Sequence, residues 1–206
     1  MSQSNISASN ETLRSIHDRR SVRHFTDQPV TEQTLAILLD AANSAPSAHN
    51  QQSWRFMVLR NAKKDALAEL VTKKANDFPR PSCILLRMAS RSIISAPAVI
   101  AVANTGDLIR HGSELFHVEK ETARDFFRTM EIQSSAAAVE NLLLAATAQG
   151  LGAVWLGILF LIKDQVLSFL GEPEGEFMAV IPVGYAARST EGPKKRPVET
   201  MVRYLD

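Results

Sequence analysis

Hydrophobic positions along the chain recur with two periods. Behind Thr31, the residues Leu35, Leu38, Leu39 and Ala42 follow the i, i+3, i+4, i+7 spacing of a helix face, and Pro46 ends that pattern. A shorter helix carrying Leu13 and Ile16 is predicted behind Asn10, a capping residue, with Glu11 in its first turn. Asn61 is read as the cap of a helix reaching about Lys74 with Ala66, Leu67, Leu70 and Val71 on one face. Pro79-Arg80-Pro81 predicts a break, followed by a helical piece over Cys83 to Ser92. Met130 to Gln149 is the strongest helical pattern, with the small-residue run Ser134-Ser135-Ala136-Ala137-Ala138 and a stop at Gly150. A last helix, around Asp164 to Leu170, stops at Gly171.

The period of two marks strands. Trp54, Phe56 and Val58 alternate with Arg55, Met57 and Leu59. Ala98 to Ala103 is continuously apolar, as in a strand buried on both faces. Ala153 to Leu156 predicts a short strand, and Phe177 to Val183 another, in which Pro182 points to an end or an edge. Residues 105–129 mix charges with His111, Phe116, His117, Phe126 and Phe127 without clean periodicity. They are read as a lid or interface excursion, or as a plain surface helix with loops. There is no repeat and no linker, so one domain over residues 1–206 is expected, with 1–10 flexible.

Composition narrows the classes. Twenty-three basic and 22 acidic residues give a net charge of +1, which provides no field for nucleic acid or membrane. The single Cys83 cannot form an intramolecular disulfide, the first ten residues lack a signal-peptide core, and no apolar run would span a bilayer. A soluble, cytoplasmic protein is expected.

Several chemistries are disfavoured. Gly150-Leu151-Gly152 follows a helix and has Trp155 at the third glycine position, against a dinucleotide fingerprint. There is neither a phosphate-binding P-loop nor a nucleophile elbow. The five histidines lack metal-ligand spacing, so no metal site is expected. Among the carboxylates, only Glu140 on the strongest helix is read as lying in an apolar setting. No side chain is assigned a catalytic role, which favours a bound cofactor that carries the chemistry itself.

Two polar stretches remain. Arg19-Arg20-Ser21-Val22-Arg23-His24-Phe25 offers guanidinium forks and a hydroxyl suited to a phosphate, or is a solvated basic helix end. Ala45-Pro46-Ser47-Ala48-His49-Asn50-Gln51-Gln52-Ser53-Trp54-Arg55-Phe56 can present amides and backbone groups to a flat polar ligand, or merely satisfy its own backbone.

Together with Ala136 to Ala146, Gly150 to Gly157, Val183-Gly184-Tyr185 and Pro193-Lys194-Lys195-Arg196-Pro197, these stretches resemble the FMN-dependent nitroreductase family in order and over nearly the whole chain. The resemblance implies an α+β fold, with a central, mostly antiparallel sheet flanked by helices, in an intertwined homodimer holding two FMN at its interface. It implies that Arg19, Arg20, Ser21 and Arg23 hold the phosphate and ribityl chain, with Lys194 and Arg196 closing over the phosphate. Pro46, Ser47, Ala48, Asn50 and Gln52 would line the isoalloxazine from the other subunit, and Leu156 and Gly157 would bring backbone against it. Gln133 stands at a flavin-side position that is acidic in many relatives. The implied activity is ping-pong hydride transfer from NADH or NADPH to a nitroaromatic, quinone or similar small acceptor. Alternatives within the resemblance are a flavin-dependent dehydrogenase or dehalogenase for one dedicated metabolite, and a flavin-binding protein without turnover.

Overall fold

The computed structural model describes residues 10–115, 119–188 and 191–205. Among the described residues, four strands form one antiparallel sheet in the order β1 (Trp54–Leu59), β2 (Ala98–Asn104), β4 (Glu176–Gly184), β3 (Gly152–Ala153). Helices cover both faces, giving the α+β architecture expected.

The central strand β2 shows why the sheet is the middle layer of the molecule. Every residue of β2 is buried, and successive side chains alternate between two cores. Ala98, Ile100 and Val102 face α2 (Glu32–Asn43) and α6 (Lys120–Ala148), meeting Leu35, Leu38, Val139 and Leu142. Val99, Ala101 and Ala103 face α3 (Asn61–Ala75), α4 (Arg80–Ser95) and α7 (Lys163–Leu170), meeting Leu67, Val71, Ile93 and Val166.

Several expectations need correction. Pro182 lies inside β4, which is central, opposite Val99. Its carbonyl accepts from Val154 N–H (3.3 Å), so its missing N–H faces the short 152–156 side and leaves the β2 ladder intact. The regular part of β3 is only Gly152–Ala153, although Leu156 N–H still donates to Val180 O (2.9 Å). In β1, Val58 is 40% exposed while Trp54 and Leu59 are buried, because this edge strand packs on both faces and strict alternation fails. Arg60, not Asn61, caps α3. Pro79 caps α4 and Pro81 sits in its first turn, where a missing N–H costs nothing, so the proline cluster starts a helix.

The described part of residues 105–129 is mostly helical, as one of the two readings of it had it, and the start of the long helix is corrected. This part forms α5 (Asp107–Leu115) and the first ten residues of α6, which begins at Lys120 instead of Met130. Gly112 lets α5 lie against the Phe127 ring, since a Cβ there would come within 2.4 Å of it. Phe116, His117 and residues 1–9 of the flexible-start expectation lie outside the described residues.

α1 (Glu11–Asp18) buries no residue, and the chain after it is held by the sheet edge. Val22 N–H donates to Ala153 O (3.0 Å), and Ser21 bridges Ala153 in parallel. Thr26 N–H donates to Tyr185 O (2.9 Å), and Ala187 N–H to His24 O (3.0 Å). This close approach requires Gly152, where a Cβ would meet Val22 at 2.6 Å. Gly152→Ala is therefore expected to cost about 1–3 kcal/mol of overpacking strain, read as a lower denaturation midpoint; an unchanged midpoint would show that the 21–26 segment yields freely.

Candidate functional site

The end of α1 supplies the first group of side chains. Arg19 is its C-cap, and its N–H donates to Ser15 O (3.0 Å). The Arg20 guanidinium donates to the carbonyls of His17 and Arg19 (2.9 Å for the latter), groups that a helix end leaves unpaired. Those bonds orient it toward the C-terminal tail. Gly192 passes so near that a Cβ would lie 2.7 Å from Arg20 Nε.

Between these pieces lies a cleft of about 770 Å³. It is lined by the cations Arg19, Arg20, Arg23 and Lys195, by Ser21, and by the carboxylates Glu140 and Glu191. Arg19 Nε stands 3.7 Å from Glu140 Oε1. The cationic excess and planar forks fit a phosphate dianion. Lys194 and Arg196 are exposed and outside this lining; Lys195, between them, faces the cleft.

A second cavity, of about 290 Å³, adjoins the first through Arg23, which lines both. Its wall includes Leu85, Met88, Trp155, Leu156 and Gly157. Leu156 is buried and Gly157 exposed at the start of a tight turn, Gly157–Ile162.

The 46–52 loop forms a separate group. Ser47 Oγ accepts from Gln52 N–H (3.1 Å), and Ala48 N–H donates to Ser134 Oγ of α6 (3.1 Å). Gln51 Nε2 lies 3.3 Å from His111 Nδ1 of α5. His49, Asn50 and Gln52 have φ of 54°, 52° and 51°, left-handed values for residues with a Cβ. Such conformations cost on the order of 1–3 kcal/mol each and persist where surrounding structure imposes them, often at ligand sites. Pro46, Asn50, Gln52 and Gln133 are exposed, and Ser47 and Ala48 half-buried. The loop lines neither cavity above; it meets α6 at Ser134, whereas the cationic cleft meets it at Glu140. The residues expected to surround one ligand thus fall into two groups within a single chain.

Among the described residues the buried carboxylate is Glu131, not Glu140. Glu140 is half exposed and faces Arg19, while Glu131 is 1% exposed. Glu131 Oε1 accepts from Leu108 N–H (2.8 Å) at the start of α5, and Oε2 has no hydrogen-bond partner among the described residues. Burial pushes its carboxyl above the ordinary glutamate range, opposed by the hydrogen bonds it accepts. Beside it, Ser135 donates to Asn104 at the end of β2. Ala123, Phe127, Glu131, Ser135, Ala138 and Leu142 form one inward stripe, which shows only once α6 is known to start at Lys120.

The Nitroreductase family matches residues 16–185. An NADH dehydrogenase/NAD(P)H nitroreductase of Archaeoglobus fulgidus is 30% identical over 179 residues, covering 85% of each chain. A 5,6-dimethylbenzimidazole synthase of Rhodospirillum rubrum is 30% identical over 174 residues, covering 81% of this chain and 78% of that one. The solved structure of a Desulfovibrio desulfuricans nitroreductase in complex with FMN superposes with a TM-score of 0.69 at 27% identity, covering 96% of this chain and 98% of that one. The chain belongs to the nitroreductase family, whose members are oxidoreductases. Among the described residues no helix is long and apolar enough to cross a membrane, and no group of His, Cys, Asp and Glu could hold a metal.

Because the folded pKa of Glu131 is raised, its contribution to stability is fully present below the unfolded value near 4.5 and is lost as pH rises through the folded value. Glu131→Gln should parallel the native protein in acid and gain on it progressively above that range, measured by denaturation across pH. A stability difference that does not change with pH would contradict the raised pKa.

Proposed function

We propose that the protein is an NAD(P)H-dependent FMN oxidoreductase that reduces a small acceptor, such as a nitroaromatic or a quinone, by a ping-pong cycle in a homodimer. The observation that carries this reading is the convergence of Arg19, Arg20, Ser21, Arg23 and Lys195, from opposite ends of the chain, on one cleft. Those groups would hold the FMN phosphate, with Lys194 and Arg196 on the same tail adding positive field. Leu156 and Gly157, reached through Arg23, would lie against the ring system, where an exposed glycine permits close backbone approach. Bound FMN would supply the hydride acceptor and donor that the chain's own side chains lack.

The separation of the 46–52 loop from the cationic cleft supports a site built across two subunits. Pro46, Ser47, Ala48, Asn50 and Gln52, with Gln133 beside Ser134, would then face the flavin held by the partner. Uncovered apolar side chains support the same assembly. Ile84, Leu85 and Met88 on α4 are 45–48% exposed, and Met201 and Tyr204 on the tail are 58% and 85% exposed. One domain per subunit and a cytoplasmic location complete this reading.

A second reading is flavin chemistry dedicated to one metabolite. It is favoured by the 30% identity to a relative named 5,6-dimethylbenzimidazole synthase. Steady turnover of NADH or NADPH with simple quinones supports the first reading, and its absence in a flavin-loaded protein supports the second.

FMN titration tests the site. Arg20→Ala should weaken FMN binding by about 1.5–3 kcal/mol, the scale of charge-assisted hydrogen bonds. Unchanged affinity would remove Arg20 from the phosphate site. Sedimentation at decreasing protein concentration should show flavin leaving as the dimer dissociates, and a monomer retaining FMN would contradict the shared site.

A further inference from the structure

Glu131 is a buried acid that the proposed hydride chemistry does not use, and its surroundings give it another task. It lies in the middle of α6 and reaches across to a different helix, accepting Leu108 N–H at the first turn of α5. The first N–H groups of a helix have no partner within it, and the helix dipole favours a negative charge there. Ser53 Oγ, 3.3 Å from the same N–H, supports that end from beside β1. The carboxylate therefore fixes where α5 starts.

α5 in turn determines what the 46–52 loop rests on. Leu108 packs with Ala123 and Phe127 in a small apolar cluster, and Ala48 is partly buried against it. His111, one turn farther along α5, meets Gln51. Glu131 also sits three residues before Ser134, which takes Ala48 N–H. The loop is thus held directly by α6 and, through α5, by a carboxylate on the same helix. The left-handed conformations at His49, Asn50 and Gln52 require such outside support.

We infer that Glu131 is a positioning residue for the acceptor side of the site: its buried carboxylate anchors α5, and α5 holds the 46–52 loop in its strained, ligand-facing shape. This rests on the FMN reading above, in which that loop lines the ring and the phosphate cleft is built elsewhere. It predicts a division of labour. Loss of the Glu131 anchor should disturb acceptor binding and leave phosphate binding at Arg19 to Arg23 intact.

The test compares Glu131→Ala, Glu131→Gln and Gly112→Ala in the full-length, FMN-loaded protein, with 1,4-benzoquinone as acceptor. Glu131→Ala should raise the quinone KM roughly tenfold, equivalent to about 1.4 kcal/mol, with FMN content unchanged. Hydrogen exchange should quicken at 108–111 and 48–52 but not at 19–23. Glu131→Gln keeps an oxygen for Leu108 N–H and should restore most of the KM. Gly112→Ala pushes α5 off the Phe127 ring without touching the carboxylate, and should reproduce the Glu131→Ala pattern. A Glu131→Ala protein with native KM and native exchange at 48–52 would overturn the inference. So would loss of FMN in step with loss of acceptor binding, the mark of a residue that only holds the fold. A native protein that takes up no FMN would refute the functional reading instead, and exchange at 48–52 in Glu131→Ala would still decide whether the anchor acts on the loop.

Discussion

The arrangement depends on a band of polar side chains buried along the inner face of α6. Glu131, Ser134 and Ser135 occupy successive inward positions on a helix that is otherwise apolar on that side. Each bonds to a different piece: Glu131 to the start of α5, Ser134 to the 46–52 loop, Ser135 to Asn104 where β2 ends. Buried polar groups are costly unless paired, so each bond admits few alternative placements of its partner. Apolar packing, as of Gly112 on the Phe127 ring, already holds α5 against α6, and the polar contacts add direction to it. The polar band gives α5 and the loop a register.

Farther along α6 lies a second polar contact. There Glu140 faces Arg19 in a cleft built from the first and last described parts of the chain. The N-terminal segment is brought to it by main-chain bonds to Ala153 and Tyr185, and the tail by its passage over Arg20. Four cations against two carboxylates would repel one another if left unoccupied. A bound dianion is the natural partner for that excess. About six residues of α6 separate this cleft from the loop's anchor, on the order of 9 Å along the axis. The loop lines neither the cationic cleft nor the cavity beside it, and the proposed two-subunit site takes up that separation.

Much of this was legible in the sequence because its signals were local. The i, i+3, i+4 pattern of α2 marks one buried helix face, and the unbroken apolar run of β2 marks a strand buried on both faces; each is written in consecutive residues. The Arg19 to Arg23 cluster was equally visible, since a dense run of guanidinium groups needs no tertiary context to be noticed. What was missed depended on neighbours. The start of α6 was hidden because residues 120–129 expose charges on one side while Ala123 and Phe127 pack on the other against α5. Glu131 was overlooked for the same reason, as its burial comes from α5 and Ser53. Pro182 suggested an edge because which side of a strand its nitrogen faces is a property of the sheet. Lys195, instead of its neighbours Lys194 and Arg196, faces the cleft, and nothing in a run of three adjacent cations distinguishes the middle one.

Flavin binding, and reduction of that flavin by a nicotinamide nucleotide, are the core of the proposed function. The most direct test is the visible absorbance of the purified protein loaded with FMN, followed by anaerobic addition of NADH and then NADPH. The expected result is a yellow protein whose flavin band bleaches with at least one of the two and returns when a quinone is added. A protein that stays colourless after FMN is supplied, or a yellow one whose band neither nucleotide bleaches, would contradict the proposed function.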